Sequence, residues 1–202
     1  MFVQVIQGQV ADAGRLRAAV DRWDEELAPG AEGWLGTTAG VTDDGRGIAL
    51  VRFESEAIAM RNSDRPEQDK WWAEASQYYS GDVVWKNSVR VEADVVGDPD
   101  TAGFVQVIQG RSTNPERARE LMNQDPDEWR AFRPDILGSL SVEHAGGEFT
   151  TAIYFTSEAE AREAERKEPP EAIRAAMEEM NSLSVGEPVF LDLKDPWLYT
   201  RR

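Results

Sequence analysis

The heptapeptide FVQVIQG stands at Phe2–Gly8 and again at Phe104–Gly110 in this chain of 202 residues. The two copies lie 102 positions apart, and the similarity continues at the same offset along the chain. Leu35–Gly36, for example, meets Leu137–Gly138 without any insertion between the copies. Two copies of so long a period do not make a solenoid or a propeller. The pattern therefore predicts a tandem duplication.

Each copy shows the same order of predicted elements. A strand is followed by a helix, by a hairpin of two strands, by a helix broken at proline, and by a last strand. The strands are predicted at 2–10, 34–42, 47–54 and 83–91, and at 104–111, 136–144, 149–156 and 189–193. The first helix of each copy is predicted as a single element, at 12–28 and at 115–132. This β-α-β-β-α-β order is the ferredoxin-like unit.

Both alternating faces of the strands are largely apolar, as FVQVIQG and GIALVRF show. A sheet covered by helices on one face needs a second cover on the other. We therefore predict an α+β protein whose two ferredoxin-like units pack sheet to sheet as an intramolecular pair. The predicted boundaries are 1–94 for the first unit, 95–103 for a linker, and 104–202 for the second unit with a C-terminal extension.

Composition excludes several classes of function. The formal charge of −16 disfavours nucleic acid and anionic membranes as partners, because both are bound by clustered basic residues. The chain has no cysteine, and its only histidine is His144, so we expect no metal site and no haem. No glycine-rich phosphate loop follows a strand, so we expect no nucleotide cofactor. A signal peptide and a membrane span are not expected, which predicts a cytoplasmic location.

The layout resembles the dimeric α+β barrel superfamily, and in particular its antibiotic-biosynthesis-monooxygenase-like branch. The resemblance rests on the first strand, on the hairpin ends VRFES and YFTSE, and on the broken helix ending WWAEASQYYSGDVVW. It covers nearly the whole chain, once in each half. Members of the superfamily ordinarily pair two chains, so the resemblance implies a fused pair in one pseudo-dimeric monomer.

Polar residues inside the strands are the first site candidates. Gln4 and Gln106 occupy equivalent central positions of the repeated heptapeptide. Arg52 lies in the third strand, where the second copy has Tyr154. A strand arginine among apolar residues needs a partner or water. Either Arg52 extends to solvent or pairs with a carboxylate such as Glu92, or it lines a cavity with the glutamines and Tyr154.

Aromatic residues form the second set of candidates. Trp71 and Trp72 stand in the first copy where the second has Ile173 and Arg174. Helical neighbours diverge by about 100°, so both indoles cannot face one core. We expect one to be core and the other to cover a pocket or a contact surface. If the protein binds a ligand, we place the pocket in the first half, lined by Gln4, Arg52 and one of the two indoles.

Two functional classes stay open. The resemblance implies a cofactor-independent monooxygenase that holds a small aromatic metabolite, in which the substrate supplies the reactive carbanion. The alternative is an accessory or binding module without catalysis.

Overall fold

A computed structural model describes residues 1–201, which form two units. The first unit comprises residues 1–91 and the C-terminal segment from Asp195. Its elements are β1 (Phe2–Gln9), α1 (Ala13–Glu26), β2 (Trp34–Val41), β3 (Arg46–Phe53), α2 (Glu56–Ser63), α3 (Pro66–Ala75) and β4 (Val84–Ser88).

The second unit, residues 92–194, repeats this order. After β5 (Val91–Val95) come β6 (Phe104–Arg111), α4 (Pro115–Met122), α5 (Pro126–Phe132), β7 (Ile136–Glu143), β8 (Glu148–Phe155), α6 (Glu158–Glu165), α7 (Glu171–Leu183) and β9 (Val189–Leu193). The last strand of the described chain is β10 (Trp197–Thr200). None of the helices within residues 1–201 is both long and apolar enough to cross a membrane.

Each unit contains one antiparallel sheet of five strands. The strand order is β10-β2-β3-β1-β4 in the first unit and β5-β7-β8-β6-β9 in the second. The predicted α+β class and ferredoxin-like order are therefore confirmed. One edge strand of each sheet comes from the segment that follows the other repeat: β10 follows the second repeat, and β5 follows the first.

Three local predictions need correction. The helix expected at 115–132 is two helices, because Asp125 is left-handed, with φ of 49°, and Pro126 begins α5. The strand expected at 83–91 ends at Ser88, and a separate strand starts at Val91 and joins the second sheet. The strand at 197–200 was not predicted, since four residues after a proline carry little periodicity.

The first sheet carries its helices on one face, which we call the helix-side face. Phe2 of β1 packs there with Trp23 of α1 and Ala59 of α2. Because strand residues alternate between faces, Gln4 shares this face, whereas Val3 lies on the opposite one. Val3 is fully buried as well, so neither face of β1 is wet.

Side-chain caps start the helices next to this face. Asp12 accepts a hydrogen bond from the Arg15 amide at the start of α1, and Ser55 accepts one from the Ile58 amide at the start of α2. Ser157 repeats the arrangement at α6. Such caps satisfy amides that the helix itself leaves unpaired. They hold α2 and α6 in equivalent places.

Candidate functional site

Gln4 lies at the centre of the helix-side face of the first sheet. Its neighbours across the ladder are Val51 of β3 and Asn87 of β4, and Thr37 of β2 lies beyond Val51. Gln4 is 7% exposed, yet its carboxamide makes no hydrogen bond to any residue from 1 to 201. Its amide nitrogen and oxygen keep some contact with solvent, so the carboxamide is free to bind a ligand.

Gln106 is the equivalent residue of the second unit, and its amide nitrogen has a partner. Its Nε2 donates to Asp192 Oδ1 of β9 at 2.9 Å. The other carboxylate oxygen of Asp192 accepts from Arg162 of α6. The Arg162 guanidinium lies 5.2 Å from the centre of the Phe104 ring, within range of a cation–π contact. In the second unit, therefore, the ion pair of Asp192 and Arg162 occupies the position next to the central glutamine.

Two substitutions between the repeats explain the difference. Asn87 faces Gln4 in the register where Asp192 faces Gln106. Met60 of α2 stands where α6 has Arg162, and it is 39% exposed. The first unit therefore lacks both the acid and the base that occupy the second unit.

Trp71 and Trp72 are neighbours on α3, and their side chains point in different directions. Trp71 donates from Nε1 to the Ala19 carbonyl at 2.7 Å, which fixes α3 on α1. Trp72 instead meets Trp85 of β4 edge-on, with ring centres 4.9 Å apart. Trp85 pairs with Ile6, one pleat along the same face from Gln4. Trp72 and Trp85 therefore lie near the β4 edge of the Gln4 position.

The indoles continue as a connected row into the core of the first unit. Trp23 lies 6.3 Å from Trp71 and 5.2 Å from Trp34, measured between ring centres. Trp71 and Trp72 are 6.0 Å apart. The row runs from buried Trp34 to Trp85, which is 44% exposed. Such T-shaped and tilted contacts stabilise the helix layer above the sheet.

Arg52 is not brought together with Gln4. It pairs with Val3 and with Gly36, so its side chain leaves the opposite face of the sheet. Tyr154 pairs with Val105 and lies on the corresponding face of the second unit. The expected pocket of Gln4, Arg52 and one indole cannot form on one side, because successive strand residues point to opposite faces.

The environment of Arg52 also differs from the expectation. Its Nε is buried and has no hydrogen-bond partner among residues 1–201. Glu92, which was considered as a partner, instead accepts from Asn123 at 2.8 Å and lies 3.6 Å from Arg119. Arg52 therefore remains a candidate on a different face from Gln4.

Acid–base groups along β1 are few, and Tyr79 lies beside Gly8, towards the other end of the strand from Gln4. Burial raises the pKa of Tyr79 to about 12, and its ring lies 6.3 Å from Trp72. At neutral pH this phenol keeps its proton and can donate, but it cannot accept a proton as a base. Within residues 1–201 no three His, Asp or Glu side chains are grouped to hold a metal ion. His144 contacts Thr150 through Nε2, at 3.0 Å.

Sequence reasoning missed Asn87, Trp85, Arg162 and Asp192 as parts of this comparison. Asn87 and Trp85 lie in β4, and the alternation of side chains along this strand does not reveal its register with β1. The 102-residue offset does not align the closing strands, because Asn87 corresponds in register to Asp192 and not to the residue 102 positions after it. The replacement of Met60 by Arg162, by contrast, can be read directly from the repeats at the 102-residue offset.

Comparison with known proteins shows which solved structures share this fold. No protein family and no curated protein matches the sequence. A candidate monooxygenase from Lactobacillus acidophilus has a TM-score of 0.74 at 10% identity, with 98% of each chain covered. One from Fusobacterium nucleatum has a TM-score of 0.75 at 8% identity, with 99% of this chain and 94% of that one covered. The chain has the α+β fold of these proteins.

A third solved structure, of an anthrone oxidase-like protein, agrees with a TM-score of 0.65 at 10% identity, covering 99% of this chain and 91% of that one. The resemblance to the dimeric α+β barrel superfamily is thereby confirmed as a likeness of fold. One fold supports many activities, so function has to be argued from the Gln4 position itself.

Proposed function

We propose that the first unit binds a small aromatic molecule on its helix-side face, beside Gln4. The observation that carries the proposal is the contrast between the two repeats. The Gln4 side chain has no hydrogen-bond partner within the described residues 1–201, whereas Gln106 is engaged by Asp192 and, through it, by Arg162. A ligand that hydrogen-bonds to Gln4 would use a carboxamide that no residue from 1 to 201 engages.

The aromatic nature of the ligand follows from the neighbours of Gln4. Trp72 and Trp85 present ring edges and faces near the β4 edge, and both are partly exposed. An offset or edge contact between an indole and a ligand ring contributes about 0.5–1.5 kcal/mol beyond the area it buries. The second unit has no such pair, because Arg174 replaces Trp72.

The reaction that we propose is the oxidation of an activated aromatic CH₂ group by O₂. Conversion of CH₂ to a ketone takes one oxygen atom from O₂ and releases the other as water. The four electrons come from the substrate, so no external reductant is needed. Solvent water would take the CH₂ proton, since no residue of the row is a base, and Gln4 and Asn87 would donate to the enolate oxygen, which lowers the barrier by stabilising developing charge.

A binding module without catalysis is the second candidate. The observation that favours it is the composition of the row around Gln4. Thr37, Val51 and Asn87 contain no group that accepts a proton at neutral pH, and Tyr79 stays protonated. Oxygen uptake separates the two candidates. We expect O₂ consumption with anthrone, matched one to one by the ketone formed; binding of anthrone without uptake above the buffer rate would support the module.

Replacing Gln4 tests the location of the site. We expect Gln4→Leu to weaken anthrone binding by about tenfold, since one neutral hydrogen bond is worth about 1–1.5 kcal/mol. Quenching of tryptophan fluorescence measures the affinity, because Trp71, Trp72 and Trp85 lie in the first unit. Gln106→Leu is the matched control and should leave the affinity unchanged. Equal losses in both variants would place the ligand elsewhere.

A further inference from the structure

The two repeats place different charges at one and the same position. In the second unit the partner of the central glutamine is the acid Asp192, and its charge is balanced by Arg162. The guanidinium occupies this position as an internal group that is planar and cationic, and it packs on the Phe104 ring. In the second unit, therefore, the group beside the central glutamine is an ion pair in which the charge of the acid is neutralised by the base.

The row of side chains around Gln4 in the first unit is uncharged. The row across the helix-side face, from β10 to β4, consists of Tyr199, Thr37, Val51, Gln4 and Asn87. None of these side chains carries a formal charge at neutral pH. The acid next to the row is Asp21, which accepts from the Tyr199 hydroxyl at the β10 end. An ion placed between Gln4 and Asn87 would give up water for two neutral carboxamides and would gain no counter-charge from the row itself.

The two carboxamides also define a hydrogen-bonding pattern. Each carboxamide presents an NH₂ donor and a carbonyl acceptor. A ligand that pairs with both Gln4 and Asn87 therefore needs an acceptor and a donor close together, as in a hydroxyaryl ketone, a phenol or an aryl amide. A group with only acceptors, such as a carboxylate, or only donors, such as an amidinium, leaves half of the pattern unpaired.

We infer that the first unit selects an uncharged planar ligand carrying both a donor and an acceptor, and that Asn87 sets this selectivity. The inference rests on the proposed function, since it requires the Gln4 position to bind an aromatic molecule. It adds that the ligand is uncharged and that Asn87 determines this specificity. Asn87 stands where the second repeat has the acid Asp192.

Three naphthalenes of nearly equal shape test the selectivity. The probes are 2-naphthamide, which is neutral, 2-naphthamidine, a cation, and 2-naphthoate, an anion. Titration calorimetry of the full chain at neutral pH should show 2-naphthamide binding at least about tenfold more tightly than either ion. Gln4→Leu should reduce the affinity for 2-naphthamide, which locates the probe at the proposed position.

Asn87→Asp should reverse the order. The new carboxylate supplies the counter-charge and accepts hydrogen bonds from an amidinium, so 2-naphthamidine should gain about tenfold or more and 2-naphthamide should weaken. Asn87 is exposed on an edge strand, so the variant is expected to fold. Gln77→Glu adds the same charge to an exposed turn and should change none of the three affinities.

A double variant transfers the arrangement of the second unit. Met60→Arg together with Asn87→Asp should abolish binding of all three probes, because the introduced guanidinium occupies the position as Arg162 does.

The outcomes separate the two proposals. If none of the probes nor anthrone binds the unaltered chain, the proposed function fails and the inference falls with it. If 2-naphthamide binds in a Gln4-dependent way but an ion binds as tightly, or Asn87→Asp leaves the order unchanged, the inference is overturned and the proposed function stands.

Discussion

Trp197→Ala is expected to lower the free energy of unfolding of the first unit by about 3–5 kcal/mol, the usual range for a buried tryptophan. Trp197 lies on β10 and is only 6% exposed. It pairs with Ala39 of β2 and packs among Leu16 of α1 and Ala75 of α3. Removal of its ring would leave a void under both helices that the neighbouring small side chains cannot fill.

The strand around Trp197 is held by its own contacts to α1, so the loss should spread along β10. Tyr199 donates its hydroxyl to Asp21 Oδ1 at 2.6 Å. Arg17 pairs with Asp195, and its guanidinium lies 5.9 Å from the Trp197 ring centre. Urea unfolding followed by tryptophan fluorescence and by circular dichroism measures the change.

Trp85→Ala is the matched control for this measurement. Trp85 is the same residue type in the same sheet, but it is 44% exposed and lies on the opposite edge strand. Its main loss is the edge contact with Trp72, so we expect about 1–1.5 kcal/mol. A Trp197→Ala variant no less stable than Trp85→Ala would show that β10 does not contribute to the core in solution.

Gly36→Ala is the second large effect, and we expect about 3–5 kcal/mol of destabilisation. Gly36 lies at the bulge of β2 with φ of 144°, where residues with a Cβ are strained. A Cβ there would stand 2.7 Å from the Tyr199 carbonyl and would also meet the Arg52 guanidinium. Backbone strain and overpacking thus act together, since β10 lies directly against this glycine.

Two further glycines separate the two causes of this loss. A Cβ at Gly138, the equivalent residue of β7, would stand 2.6 Å from the Asp94 carbonyl, but Gly138 has no positive φ. Gly138→Ala should cost about 1–3 kcal/mol through crowding alone. Gly146 has φ of 73° with nothing within 4 Å of a Cβ, so Gly146→Ala should cost about 1–2 kcal/mol through strain alone. Equal effects at all three would contradict this division.

The repeated heptapeptide and the hairpins were enough to predict the α+β class and the order of elements in each unit. These features depend on period-two alternation, on proline and on capping residues, which act over a few residues of chain. Alternation within each strand did not show that Gln4 and Arg52 leave opposite faces of their sheet, because that depends on the register of β1 with β3. The break between α4 and α5 also had a local signal in Pro126.

Tertiary structure alone decided which strands complete each sheet and which central glutamine stays unpaired. The edge position of β10 on β2 joins residues about 160 positions apart in the chain, and Gln106 meets Asp192 across 86 positions. Local sequence cannot specify such partners, because an edge strand offers the same backbone groups to any neighbour. Long-range register placed an acid opposite Gln106 and an amide opposite Gln4, and so made two identical heptapeptides physically different.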